Sequence, residues 1–138
     1  MDAIKSHRNC IACSEHHLIP SLALHFDWLD KLRMHSRFFI KSDYQGYEGL
    51  LHGGVASTLL DAIMTHHLLA RNIMALTGSL KLRFHQRVEV NQWVDLYARE
   101  QSFRHGVYSM RATLLLANHD LAIEATAHFM PVAEATIK

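Results

Sequence analysis

Between Gly49 and Met64 (Gly-Leu-Leu-His-Gly-Gly-Val-Ala-Ser-Thr-Leu-Leu-Asp-Ala-Ile-Met) the only ionisable side chains are His52 and Asp61. From Val55 to about Arg71 there is no Gly or Pro, and apolar residues recur at helical spacing (Val55, Leu59, Ala62, Ile63, Leu69), which predicts one helix with Gly53-Gly54 at its start. Two glycines there leave backbone N–H groups unobstructed by any Cβ, at the end where the helix dipole is positive, so an oxyanion can sit there. Asp61 follows about two turns later. Aspartate is a poor mid-helix residue, and this one is flanked by Leu59, Leu60, Ala62 and Ile63. A carboxylate among apolar neighbours carries a weakly screened charge, which suits a general base or a nucleophile. A carbonyl polarised by a glycine N–H and attacked with the help of a carboxylate is a compact hydrolytic arrangement. The same residues also suit blander roles: Gly-Gly makes a tight turn, and an aspartate can cap a neighbouring element or pair with an arginine.

At helical spacing Asp61 shares a stripe with Gly54, Ser57, Thr58 and Thr65, so this face points at something other than a Leu-rich core and suits the wall of a pocket. Cys10-x-x-Cys13 followed by His16 and His17 has the ligand types of half a zinc site, but no second Cys pair completes it, and the expectation is reduced cysteines and no metal. Lys81, Arg83, Arg87, Arg99 and Arg104 are candidates for gripping phosphates by charge-assisted pairing, against the ordinary role of solvated strand cations. Phe38, Phe39, Tyr44, Tyr47, Trp93 and Phe129 either line a tunnel or form core, and core is the expected role.

The elements that must hold these residues follow from pattern. Residues 22–28 and 32–40 partly alternate apolar with polar, as strands with one buried face do, with Asp30-Lys31 as the turn between them. The glycine- and tyrosine-rich stretch 43–54 reads as an ordered loop. After the helix, segments near 76–88, 92–102, 107–117 and 121–130 read as strands, with turn-like junctions at Glu89-Val90-Asn91, Arg104-His105-Gly106 and Asn118-His119-Asp120. In the third strand Gly78, Leu80, Leu82 and Phe84 fall on one face, and Ser79, Lys81, Arg83 and His85 on the other. The only long amphipathic element available to cover the apolar face is the helix. An α+β fold is therefore expected: an antiparallel sheet wrapped around one central helix.

At 138 residues, nearly half hydrophobic, the chain fits one domain over 1–138. Fourteen Lys and Arg against thirteen Asp and Glu, with no run of like charge, give no nucleic-acid footprint. The polar N-terminus holds no apolar stretch long enough for a signal peptide or a membrane helix, so the expectation is a cytoplasmic protein without membrane partners.

The stretch Tyr44-Gln45-Gly46-Tyr47-Glu48-Gly49-Leu50-Leu51-His52-Gly53-Gly54-Val55-Ala56-Ser57-Thr58-Leu59-Leu60-Asp61 resembles the helix-opening signature of PaaI-like hotdog-fold acyl-CoA thioesterases, in which an HGG turn is followed by an acid eight positions after the first glycine. The inferred strand order is also that of the hotdog fold. The resemblance implies an acyl-CoA thioesterase acting on a small or medium acyl chain. It implies that the Gly53 N–H polarises the thioester carbonyl, that Asp61 attacks or activates water, and that His52 helps hold the carbonyl or the loop. Ser79 matches a serine that some relatives place beside the catalytic water. Gly54, Gln45, Gly46, Thr58, Thr65, Lys81 and Arg83 become substrate-binding candidates. Gly46, with Gln45 beside it, stands where many relatives carry asparagine, a departure at a position used for water or carbonyl positioning. No cofactor is implied, coenzyme A being part of the substrate. The resemblance further implies a homo-oligomer, dimer or tetramer, with the HGG turn from one protomer and the acid from the other; exposed sheet edges independently favour pairing. Two other readings use the same fold: a non-catalytic acyl-CoA-binding module, and a dehydratase or hydratase, which needs a His and an acid in a different arrangement.

Overall fold

The computed structural model describes residues 3–5, 10–13 and 22–132. Six strands, β1 (Asp27–Trp28), β2 (Arg33–Ile40), β3 (Ala75–Phe84), β4 (Gln92–Arg104), β5 (Val107–Leu115) and β6 (Leu121–Pro131), form one antiparallel sheet in the order β1-β2-β4-β5-β6-β3. One helix, α1 (Gly53–Leu69), lies against its concave face. This is the expected wrapped-helix architecture.

Alternation within the strands decides which face meets the helix. Met34, Phe38 and Ile40 of β2, Val94, Leu96 and Ala98 of β4, Met110, Ala112 and Leu114 of β5, and Ile123, Ala125, Ala127 and Phe129 of β6 are all buried. They enclose Ala56, Leu59, Leu60, Ile63, Met64 and Leu68 of α1 in one core. Burying each of the larger side chains contributes about 1.5–3 kcal/mol, and Ile63→Ala, which removes a side chain with no solvent exposure, costs roughly 2–5 kcal/mol.

The turn chemistry is as the sequence announced. Asp30 Oδ1 accepts from the backbone N–H groups of Leu32 (2.8 Å) and Arg33 (2.7 Å), closing the β1–β2 turn. His105 and Gly106 both take positive φ (53° and 76°), as a two-residue hairpin loop with the twist of its strands requires. The first strand is shorter than its pattern. Ala23 sits at φ 49°, which breaks the extended run, and the Leu22 and Leu24 N–H groups donate instead to the carbonyls of Ile11 and Ala12. Only Asp27 and Trp28 pair with β2.

The consequential departure lies in β3. Its register against β6 shifts between Thr77 and Ser79, so that Thr77 pairs with Phe129 while Ser79 pairs with His128. Gly78 is the extra residue of a β-bulge, and a bulge reverses the facing of everything before it. Thr77 therefore shares the concave face with buried Phe129, and Ser79, Lys81 and Arg83 lie on the convex face with His128, Thr126 and Glu124. No helix among the described residues is long and apolar enough to cross a membrane.

Candidate active site

His52 is the N-cap of α1. Its backbone is extended (φ −64°, ψ 133°), and its Nδ1 accepts a 2.8 Å hydrogen bond from the Gly54 N–H. A ring nitrogen that accepts here carries no proton, so the neutral ring is protonated on Nε2. The cap satisfies one of the orphan donors of the first turn. The Gly53 N–H has no acceptor among the described residues and remains at the positive end of the helix. Close packing fixes the ring: a Cβ on Gly46 would stand 3.1 Å from His52 Cδ2, and one on Gly54 would stand 2.9 Å from His52 Cε1. At Gly53 a Cβ would meet only Phe84 Cζ, at 3.9 Å.

The loop that delivers His52 is held by its own polar groups. Gln45 Oε1 accepts from the Gly49 N–H at 3.0 Å, the Gly46 N–H donates to the Leu50 carbonyl at 2.9 Å, and the His52 N–H donates to the Tyr44 carbonyl at 2.9 Å. Gln45 and Gly46 thus shape the turn. Ser57 and Thr58 donate their hydroxyls back to the Gly53 and Gly54 carbonyls, both at 2.9 Å. Beside the helix start is a cavity of about 400 Å³, with Gly53 on its wall between Tyr47, Leu51, Phe84, Val88 and Ile123. Its walls are mostly apolar, as an organic group leaving water would need.

Asp61 is half-buried on α1 and meets the β3 edge of the sheet. The Thr77 hydroxyl donates a 2.7 Å hydrogen bond to Asp61 Oδ1. Thr65 follows one turn along the same stripe and is also half-buried. Sequence alternation misses Thr77, because counting back by twos from Leu80 turns it away from the helix. The available signal was Gly78, since a glycine inside a strand pattern marks a bulge. Ser79 is not brought to Asp61: its Oγ lies 2.8 Å from His128 Nδ1, on the convex face. Lys81 and Arg83 lie on that same face, away from both Asp61 and the cavity at Gly53.

Gly53 and Asp61 are eight residues apart in one helix, which at 1.5 Å per residue separates them by about 12 Å. A single thioester carbonyl does not reach from one to the other within one chain.

Cys10 and Cys13 are free thiols. Burial first, then neighbouring Cys10 and the charge of Asp61, pushes the Cys13 thiol up to about 12, the state of an unreactive buried cysteine. Among the described residues no group of three or more His, Cys, Asp or Glu gathers to hold a metal; His16 and His17 lie outside them. Of the aromatics, Phe129 and Phe38 are core, while Tyr47 and Trp93 are exposed.

Residues 48–114 match the model of the thioesterase superfamily. No curated protein matches the chain. Among solved structures, a thioesterase superfamily protein superposes with a TM-score of 0.82 at 17% identity, covering 89% of this chain and 63% of its own. The chain thus spans less than two thirds of that relative's length. A hypothetical thioesterase of Streptococcus pneumoniae TIGR4, solved with coenzyme A, superposes with a TM-score of 0.74 at 12% identity, covering 80% of this chain and 89% of its own. That protein was also solved with an aspartate changed to alanine and with a threonine sixteen positions further on changed to alanine. The PaaI protein of E. coli, from the phenylacetic acid degradation operon, superposes with a TM-score of 0.73 at 9% identity, covering 79% of this chain and 83% of its own. The fold is the hotdog fold, and the resemblance to PaaI-like hotdog thioesterases read from the HGG turn and Asp61 holds.

Proposed function

With the thioesterase-superfamily match over residues 48–114 and the hotdog fold as premise, we propose that this protein hydrolyses an acyl-CoA thioester of small or medium chain to the free acid and coenzyme A. The observation that carries the reading is the half-buried Asp61 carboxylate, held at 2.7 Å by Thr77, on the helix whose N-terminus presents the Gly53 N–H. An aspartate and a threonine sixteen positions apart are also the pair altered in the pneumococcal thioesterase, and Asp61 and Thr77 have that separation.

The Gly53 N–H donates to the thioester carbonyl and to the oxyanion that develops from it. As a base, Asp61 takes a proton from water while the water oxygen bonds to the carbonyl carbon; the tetrahedral intermediate then expels the coenzyme A thiolate. As a nucleophile, Asp61 bonds to that carbon directly and the coenzyme A thiolate is expelled; water then cleaves the resulting anhydride to the free acid and the Asp61 carboxylate. In both courses Thr77 fixes the carboxylate by binding Oδ1. Attack and polarisation are supplied by a carboxylate and a helix N-terminus, so the proposed reaction uses no metal, and turnover persists after treatment with a chelator.

The separation of about 12 Å between Gly53 and Asp61 supports a homo-oligomer, dimer or tetramer, as the active unit. The glycine turn of one protomer meets the acid of the other. Strand β3 lies at the end of the sheet order and exposes Leu76 and Phe84, an edge that a second copy would cover. The ~400 Å³ cavity beside Gly53 takes the organic part of the substrate.

Free-thiol release from a panel of acyl-CoA thioesters, aromatic and aliphatic, is the direct test. Turnover of at least one thioester, by a protein that elutes as a dimer or larger, supports the reading. A protein that binds acyl-CoA and hydrolyses none is the binding module instead.

A further inference from the structure

On the convex side of the sheet, away from α1, three arginines stand in register on consecutive strands: Arg33 of β2 pairs with Arg99 of β4, which pairs with Arg111 of β5. Directly opposed like charges on one sheet face, with Cβ atoms roughly 5 Å apart, repel one another. Two of the three are neutralised, Arg33 by Asp30 at 2.9 Å and Arg111 by Glu124 at 2.8 Å. Arg99, at the middle of the row and exposed, has no carboxylate partner among the described residues. All three arginines line a groove of about 410 Å³. Its lining also includes Tyr97, paired across the strands with Thr113, and the apolar residues Leu29, Ala98, Ala112 and Leu115.

We propose that this groove binds a small organic monocarboxylate, with the carboxylate on Arg99 and the apolar body along Tyr97, Leu29 and Leu115. Charge sets the head group. One uncompensated guanidinium calls for one negative charge, whereas a phosphate group brings nearly two. A carboxylate also matches the planar fork of an arginine in two parallel hydrogen bonds. Lining sets the body, since leucine side chains and a tyrosine ring favour a hydrocarbon or an aryl group over water. The site is separate from the proposed hydrolytic centre: Asp61 and Gly53 belong to the helix on the other face of the sheet, so it stands or falls without the thioesterase reading.

The test titrates benzoate, octanoate and inorganic phosphate into the purified protein, followed by backbone amide shifts and calorimetry. Benzoate or octanoate shifts Tyr97, Arg99, Arg111 and Thr113 saturably; the dissociation constant rises at least about tenfold in Arg99→Gln and is unchanged in Asp61→Asn. Arg99→Gln replaces an exposed side chain, and its circular dichroism reports that the fold is kept. Equal binding by Arg99→Gln overturns the proposal, as does binding that Asp61→Asn abolishes. Inorganic phosphate binding as tightly as benzoate also overturns it, because the apolar half of the groove would then contribute nothing.

Discussion

The Thr77 hydroxyl reaches Asp61 Oδ1, at 2.7 Å, because the register of β3 slips by one residue at Gly78. Without the slip Thr77 faces away from the helix, and the carboxylate loses a hydrogen bond made to a charged group, worth about 1.5–3 kcal/mol.

Thr77→Val keeps the branched shape and removes the donor. If Asp61 acts only when held in one orientation, kcat falls roughly 10- to 100-fold, with KM little changed because the carboxylate works on the way to the transition state. Ser79→Ala removes a hydroxyl bonded to His128 on the other face and serves as the comparison. Steady-state kinetics of both variants decide between the two hydroxyls; a larger loss from Ser79→Ala reverses the assignment.

The wrapped sheet, the helix and the turns were legible because each rests on local pattern: alternation in β2, β4, β5 and β6, helical spacing from Val55, and Asn, Asp and Gly at the junctions. Gly53 and Asp61 stand out as candidates by type and spacing. What escaped was decided by a single inserted residue. Alternation has a period of two, so one bulge at Gly78 exchanges the faces of Thr77 and of everything before it. The shortened β1 escaped for a related reason, since a positive φ at Ala23 leaves no trace in hydrophobicity. The arginine row was invisible because register between strands is a tertiary property; Arg33, Arg99 and Arg111 are far apart along the chain.

Gly53→Pro isolates the backbone donor. Gly53 is the first residue of α1, where proline is well tolerated, and His52 already has the extended backbone that a residue before proline prefers. The substitution deletes the N–H that no described residue accepts, leaving the helix intact. Loss of one oxyanion-hole donor lowers kcat by about 10²–10³, while the melting temperature holds or rises. Gly54→Ala gives the opposite pattern in stability. Its Cβ would stand 2.9 Å from His52 Cε1, which displaces the cap and costs about 1 kcal/mol. Thermal denaturation and turnover on the two variants separate the roles; full activity in Gly53→Pro removes the N–H from the mechanism.

His67 gives the fold an acid limit. It is buried at the end of α1, with Nε2 donating to the Leu32 carbonyl at 2.9 Å and Nδ1 accepting from Arg71 Nη2 at 3.2 Å. Burial first, and the Arg71 charge after it, hold the imidazole below its ordinary 6.5, against the opposing pull of the Leu32 carbonyl and Glu100. A histidine whose folded value is depressed binds more protons when unfolded, so its contribution is complete above about pH 6.5 and is lost as the pH falls toward the folded value. Urea midpoints measured from pH 8 down to pH 5 should decline, and His67→Gln, which keeps a donor and an acceptor without titrating, should decline less. Parallel curves for the two proteins place the pH dependence on other groups.

Asp61→Asn tests the centre of the proposal with the least disturbance. The amide is nearly the same size as the carboxylate, and its Oδ1 still accepts from Thr77, so neither packing nor the Thr77 bond is lost. What disappears is the negative charge, and with it both the base that takes a proton from water and the nucleophile that attacks carbon. Neither role is exercised in the ground state, so binding of acyl-CoA should be nearly unchanged while kcat falls by roughly a hundredfold or more, the usual scale for deleting a general base. Stability should change little, since the side chain is half-buried and the Thr77 hydrogen bond is kept. Asp61→Ala should match it in kcat. Turnover of acyl-CoA by Asp61→Asn at the wild-type rate, with the oligomer intact, makes the carboxylate structural and removes it from the reaction.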